Sequence, residues 1–500
     1  MAPKRYVFPP RKQRPVTNML TDEEAMNTHI GREIEELLVQ HSGMSGIHPL
    51  RNAHDAFASR ALLTQTAEKT LDIQYYIWKE DLSGSLMLKS VKDAADRGVR
   101  VRLLLDDNGI TGLDNSLYEM NLHDNIEVRL FNPFSNRWFK WIGFITNFPK
   151  LNRRMHNKSF SVDKKASIVG GRNIGDEYFG AGTGLMFADL DVLLIGPVVN
   201  DISEDFDTYW NCSLSIPVDQ IVKYSENRTQ KTLPLKFKEV QNDSSAANYI
   251  NLIRESNFIY QLFNEELRLE WADVKLVSDN PLKVLNRTKP RQLLTNQIRE
   301  AIGQPKKEVI LVSPYFVPTK AGVDLFRTMA ERGVDVRILT NSLDATDVKI
   351  VHAGYEKRRK ALLKAGIKLY ELKRISTDVD FKEQTGPFGS SGSSLHAKTF
   401  SVDRLRVFVG SFNFDPRSIH LNTEMGVVIE SKNLAREIQE LFGDRIPENT
   451  YEVTLDERER LNWTERIEGK LKVYSKEPKT RLIQRILLWF LSKLPIERLL

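Results

Sequence analysis

The 500-residue chain has a single cysteine, Cys212, so it can form neither an internal disulfide nor a zinc cage built from cysteines. It also has no unbroken run of the roughly 20 apolar residues that a membrane-spanning helix requires, so any membrane contact is expected to be peripheral. The opening segment, MAPKRYVFPPRKQRP, carries five basic residues and no acidic one. It lacks an apolar run of signal-peptide length, and nothing in it directs secretion by the usual route. Charge of one sign is scarce as well: the net charge is only +6. That excess suits a polyanion such as nucleic acid or an anionic membrane surface without choosing between them. The length exceeds what one ordinary core fills, which predicts two domains plus extensions.

What is present is internal repetition. The pattern His-x-Lys-x-x-x-x-Asp occurs as HNKSFSVD, with His156, Lys158 and Asp163, and again as HAKTFSVD, with His396, Lys398 and Asp403. Seventeen residues after each histidine a glycine-bearing turn ends in asparagine, GGRN at Asn173 and GSFN at Asn413. One match of this kind is weak evidence, but two with matching tails in two similar halves are not accidental. The strand-like VRVRLLLD returns as VDVRILTN, each after a helical segment ending in Arg-Gly. Arg97 and Arg332 lie 235 residues apart and the two histidines 240, so a duplication with a small length change accounts for both halves.

Alternating patterns predict a helix near 54–68, a strand over 71–78, a helix over 83–98 and a strand over 99–106. A further capped helix is expected across 21–43, with Thr21 and Glu24 as its capping box and Gly43 behind it. The fold class is therefore α/β: two similar α-β-α lobes packed about a pseudo-twofold axis with the active site between them. The expected division is an N-terminal extension over 1–45, partly disordered with one helix, a first lobe over 46–215, a connector over 216–270, a second lobe over 271–448, and a C-terminal extension over 449–500 with an amphipathic helix. Residues two apart on a strand face the same side, so each histidine projects together with its lysine. If the lobes pair, the histidines face each other and form one phosphate site.

With these motifs the chain resembles the phospholipase D superfamily, and longer segments resemble the bacterial cardiolipin synthases of the C type. Those segments include MHNKSFSVDKKASIVGGRNIGDEYFGAG, DLDVLLIGPVV, GSFNFDPRSIHLNTEMGVVIE and the ending LPIERLL, and the likeness runs from about residue 45 to 500. The resemblance implies phospholipase D-like lobes and a reaction with no cofactor and no metal. It implies that His156 attacks phosphorus to give a phosphohistidine while His396 serves as acid and then base. Lys158, Lys398, Asn173 and Asn413 would bind the phosphate. Asp189, in FADLDV, and Glu424, in NTEMGV, are the carboxylates available to orient the imidazoles, with Ser411 as a further supporting residue. Asp163 and Asp403 complete the catalytic motif and are expected to hold the lysines or the turns.

The resemblance further implies transfer of a phosphatidyl group from phosphatidylethanolamine or phosphatidylglycerol onto a hydroxyl of phosphatidylglycerol, giving cardiolipin. Two segments point to lipid independently. FNPFSNRWFKWIGFITNFPKLNRR interleaves Phe134, Trp138 and Trp141 with Arg153 and Arg154, as suits a headgroup interface, although a buried amphipathic helix reads the same way. RLIQRILLWFLSKLPIERLL, as a helix, places Trp489 and Phe490 on a broad apolar face that can lie in a membrane or dock on the protein's own body. Peripheral association with the cytoplasmic face of a bacterial inner membrane is expected. The rival readings are a hydrolytic phospholipase D, a nuclease of the same superfamily and a non-catalytic membrane scaffold. The lipid-directed segments argue against nucleic acid as a partner, and oligomeric state is open.

Overall fold

Two large mixed sheets carry the molecule, and they are built in the same order. In the computed structural model the described residues are all except 1–15, 135–150, 182–186, 224–231, 264–266, 347, 375–384, 387–388, 391–393, 444–445 and 494–500. The first sheet comprises β1 (Ser45–Leu50), β2 (Thr70–Ile77), β3 (Arg100–Gly109), β4 (Ile126–Phe131), β5 (Ser159–Val162), β6 (Ala166–Gly170), β7 (Asp191–Ile195), β8 (Ser215–Pro217) and β9 (Glu270–Ala272). Its spatial order is β9-β1-β7-β6-β5-β2-β3-β4-β8. The second comprises β10 (Val274–Ser278), β11 (Glu308–Val312), β12 (Asp335–Asn341), β13 (Lys368–Leu372), β14 (Thr399–Val402), β15 (Arg406–Gly410), β16 (Met425–Glu430), β17 (Thr450–Leu455), β18 (Leu461–Ile467) and β19 (Lys470–Tyr474). Its order is β10-β16-β15-β14-β11-β12-β13-β17-β18-β19. Position by position, β1 to β8 match β10, β11, β12, β13, β14, β15, β16 and β17, so the duplication legible in the motifs extends through both sheets.

Alternation along each strand separates a helix-covered face from an inner face. Leu71, Ile73 and Tyr75 of β2 join the core beneath the Ala53–Thr66 and Leu82–Asp96 helices. The inner faces of the two sheets meet: Val169 and Val192 of the first lobe share one apolar cluster with Ile310, Val409 and Val427 of the second. A shared core of this kind fixes the lobes against each other and sets the register of everything at their common edge. Helices Leu233–Asn242, Ser244–Arg254 and Asn257–Phe263, from the segment between the motifs, pack over the first lobe's outer helices.

The helix expected across 21–43 is two helices, Asp22–Met26 and His29–Gln40. The Thr21–Glu24 capping box forms as read, but Thr28 starts a second helix by accepting from Gly31 N–H at 3.0 Å. Gly31 permits the break, because a Cβ there would lie 2.1 Å from the Ala25 carbonyl oxygen. The β5–β6 and β14–β15 connections are tight turns in which Asp163 and Lys164, and likewise Asp403 and Arg404, take positive φ. Aspartate tolerates that conformation better than most residues, which accounts for its place at the end of each motif.

Candidate active site

Main-chain contacts bring each histidine to the opposite lobe before any side chain is considered. His156 N–H donates to Thr423 C=O at 2.9 Å, and Met155 forms a parallel bridge with Thr423. His396 and Ala397 N–H both donate to Ala188 C=O, at 2.8 and 2.9 Å, where Ser394–Leu395 pairs in parallel with Phe187–Ala188. The residue after each acceptor is a carboxylate, Glu424 in one case and Asp189 in the other. The side chains therefore cross between lobes: His156 Nδ1 lies 2.8 Å from Glu424 Oε2, and His396 Nδ1 lies 2.5 Å from Asp189 Oδ2. An ionised carboxylate only accepts, so Nδ1 carries the hydrogen and Nε2 keeps its lone pair, which at His396 lies 3.3 Å from Lys398 Nζ.

Each lysine folds back on the histidine of its own motif. Lys158 Nζ donates to His156 C=O at 2.6 Å, and Lys398 Nζ donates to His396 C=O and lies 2.9 Å from His396 Nδ1. Burial lowers the His156 imidazole to about 4; Glu424 opposes this, and Lys158 and Lys398 reinforce it. Burial and then Lys398 lower His396 to about 4, against Asp189, with Lys158 adding to the effect. Each histidine thus feels the lysine of the other motif, and the two motifs form one electrostatic unit. Burial would raise the Asp189 carboxyl, but Lys398 and His396 more than offset it and hold it below the ordinary range. Glu424 is held low against burial by His156 and Lys158. Two neutral imidazoles beside buried ammonium groups form a nucleophilic site that an anionic ester neutralises.

Lys158 supplies a pH prediction. Burial, followed by repulsion from Lys398, brings its ammonium down to about 7. Raising the pH through that value removes the charge that receives the phosphate. With His396, also near 4, as the general acid that must take up a proton, the free-enzyme profile, kcat/KM, is expected to decline above pH 4 and to steepen near pH 7 as Lys158 loses its charge, far below the ordinary lysine range. On the acid side it falls near pH 4 as His156 is protonated. A bound anionic ester favours the ammonium, so the kcat profile turns down at higher pH than kcat/KM. A kcat/KM profile flat to pH 9 would remove Lys158 from phosphate binding.

The remaining residues singled out by sequence divide. Ser411 donates to Glu424 Oε2 at 2.5 Å, and Ser418 donates to Glu424 Oε1 at 2.7 Å. The position equivalent to Ser411 is Gly171, where a Cβ would fall 2.1 Å from Asp189 Oδ1. Asn413 is buried, and its side-chain oxygen has no hydrogen-bond partner among the described residues. Asn173, expected as a phosphate donor, is held at both ends of its amide: its oxygen accepts from Ile77 N–H at 3.1 Å and its nitrogen donates to the Tyr178 hydroxyl at 3.0 Å. Those bonds place it in the frame around His396, because the Tyr178 ring sits edge-on to that imidazole at 5.1 Å. Tyr76 makes the matching contact with His156 at 5.0 Å. Sequence reading missed both tyrosines, since QYYIW and DEYF look like ordinary core aromatics.

Asp163 and Asp403, grouped with the catalytic residues by motif, lie at the far ends of β5 and β14, roughly 15 Å along the strand from their lysines. Asp163 accepts from the N–H groups of Glu68, Lys69 and Thr70 at 2.9, 2.8 and 2.7 Å. Asp403 does the same for Lys306, Lys307 and Glu308. Of the two roles expected, they hold the turns and leave the lysines alone. Asp163→Asn is expected to cost about 2–3 kcal/mol of stability, because an amide cannot accept from three donors as a carboxylate does. Thermal melting checks this, and kcat per folded molecule should scarcely change. A large kcat loss at unchanged melting temperature would return Asp163 to the chemistry.

Trp138 and Trp141 lie outside the described residues, as do the side chains of Trp489 and Phe490. Phe134 and Arg154, read as part of a headgroup surface, are instead buried: Arg154 pairs with Asp106 at 2.7 Å beneath the Phe134 ring. The terminal helix spans Leu482–Lys493 and docks on the protein's own body, with Leu488 buried against Val317, Leu343 and Ala353.

Comparison with known proteins bears on the family and the fold. The profile described as "Cardiolipin synthase, PLD-like domain" matches twice, at residues 62–210 and 298–446, so each copy covers one motif. Cardiolipin synthase C of Escherichia coli K12 is 47% identical over 464 residues, covering 93% of this chain and 98% of that protein. A cardiolipin synthase of Clostridium perfringens SM101 is 26% identical over 421 residues, covering 83% and 73%. Among solved structures, the phosphatidylserine synthase of Haemophilus influenzae Rd KW20 superimposes with a TM-score of 0.56 at 14% identity, over 94% of this chain and all of that one, which establishes the shared fold.

Proposed function

The chain belongs to the phospholipase D-like cardiolipin synthase family, and on that footing we propose that it joins two phospholipids through a phosphohistidine held in the crossed-histidine cleft. It is a phosphatidyltransferase that makes cardiolipin, a membrane-associated bacterial enzyme acting on phospholipids. His156 Nε2 attacks the phosphorus of the donor, phosphatidylglycerol or phosphatidylethanolamine, and the bond from phosphorus to the headgroup oxygen breaks. His396, protonated when the anionic ester enters, gives its Nε2 proton to the departing alkoxide. A primary hydroxyl of phosphatidylglycerol then gives its proton back to His396 and attacks phosphorus, releasing His156 and cardiolipin. Lys158 and Lys398 neutralise the phosphoryl oxygens, and the buried side-chain amide of Asn413 offers its N–H as a further donor to them.

The observation that carries this reading is the exchange of carboxylates between lobes, which fixes both Nδ1 atoms and leaves two Nε2 atoms for one phosphorus. The donor headgroup and the order of histidine use follow the family resemblance. Peripheral attachment at the cytoplasmic face of the inner membrane completes the proposal. Purified protein given labelled phosphatidylglycerol, with and without phosphatidylethanolamine, should yield labelled cardiolipin. Phosphatidic acid as the sole product would mean that water, not lipid, resolves the phosphohistidine, and the chain would then be a hydrolase.

A further inference from the structure

Outside the catalytic cleft, the segment joining β19 to the Leu482–Lys493 helix encloses an open cavity of about 590 Å³, in the size range of small-ligand sites. Four cations line it, Lys476, Lys479, Arg481 and Arg485, with Ser475 and Thr480 between them. Among the described residues no carboxylate comes within 4.0 Å of any of these four cations. The one acid in the lining, Glu477, is turned inward, accepting from Arg359 at 2.8 Å and facing His352 at 3.3 Å. The cavity is therefore net cationic, with Glu465 acting on Lys479 only from beyond ion-pair distance, while its base is held by a buried ion pair.

Its surroundings are apolar where a water-soluble surface would be polar. Leu482, Ile483 and Ile486 are 63%, 78% and 57% exposed on the helix, and Leu471 and Val473 of β19 are 66% and 61% exposed beside it. Five large aliphatic side chains around a cluster of four cations match the chemistry of a bilayer boundary, where chains meet acyl carbon and cations meet lipid phosphate. The helix cannot swing away to present a different face, because Leu488 anchors it. Its anchor also gives its position. Val317 and Leu343 follow the ends of β11 and β12, and His396 enters at that same end, since Thr399 of β14 pairs with Val312, the last residue of β11.

We propose that this cavity binds the phosphodiester headgroup of an anionic phospholipid in the bilayer, with Leu482, Ile483 and Ile486 inserted among the acyl chains, and so docks the cleft on the membrane. This rests on the proposed action on phospholipids and adds the site that meets the bilayer. The test uses the full chain carrying Lys476→Gln, Lys479→Gln, Arg481→Gln and Arg485→Gln together, with unchanged melting as the folding control. Near a membrane surface each cation contributes about fivefold, so affinity for phosphatidylglycerol-containing vesicles in sedimentation should fall on the order of 10²-fold or more, with no change on phosphatidylcholine vesicles. Ile483→Ser with Ile486→Ser should weaken binding to both. Turnover of a dispersed short-chain phosphatidylglycerol should survive in both variants.

Anionic-vesicle binding unchanged in the fourfold variant would overturn the proposal. Displacement of the wild-type protein from vesicles by equimolar inorganic phosphate would also overturn it, since the cavity would then serve a soluble anion. Vesicle binding lost as expected, in a protein that turns over no phospholipid at all, would uphold this site while sinking the proposed reaction.

Discussion

Alanine in place of His156 is expected to lower cardiolipin formation by at least about 10⁴-fold, and alanine in place of His396 by about 10²- to 10⁴-fold, the scales of losing a nucleophile and a general acid. The two losses should differ in kind. A donor with a nitrophenyl leaving group departs without a proton, so the His396→Ala protein should still form a covalent adduct with it. The His156→Ala protein should not. Alkaline quenching preserves a phosphohistidine, and peptide mapping locates it. An adduct on His396 would reverse the roles assigned here, and full turnover in both single variants would end the two-histidine mechanism.

Glu424→Gln and Asp189→Asn are each expected to reduce kcat by roughly 10²- to 10⁴-fold, as happens when the carboxylate that fixes a catalytic imidazole becomes an amide. The structural reason is strongest at Glu424, where every side-chain partner is a donor: His156 Nδ1, Ser411 Oγ and Ser418 Oγ. An amide nitrogen there would face one of them, turn the imidazole or force the other tautomer, and take the lone pair away from Nε2. Because the carboxylate sits in the lobe opposite its histidine, Glu424→Gln should act as a lesion of His156, abolishing the adduct. Asp189→Asn should act as a lesion of His396, sparing adduct formation from the activated donor. Less than a tenfold loss in both would mean that the imidazoles are oriented without their carboxylates.

Local spacing made the motifs readable. His-x-Lys on a strand, an aspartate at a tight turn and an asparagine seventeen residues on are all set within one hairpin, and the sheet order repeats because the halves do. The crossing was not readable, because His156 and Glu424 are 268 residues apart and His396 and Asp189 are 207 apart, and no short-range pattern says which carboxylate serves which ring. Asp163 and Asp403 were legible only as far as a choice between lysine and turn. Their place in the motif reflects the backbone N–H groups of a neighbouring strand start, which sequence does not display. The single helix expected across 21–43 failed because Asn27 and Thr28 fit a helical apolar pattern while Thr28 also caps a new one. Phe134 and Arg154 showed the limit of composition, since an aromatic beside a cation describes a buried stack as well as a lipid surface.

The short bridges at Met155–Thr423 and at Leu395–Ala188 bear on how so bulky a product leaves. Each seam ties a histidine to the residue just before its partner acid, so prising the lobes apart would dismantle both couples in one stroke. Clamshell breathing is thereby closed off as a release route, and a four-tailed lipid has to slide out along the rim of an enzyme whose jaws stay shut.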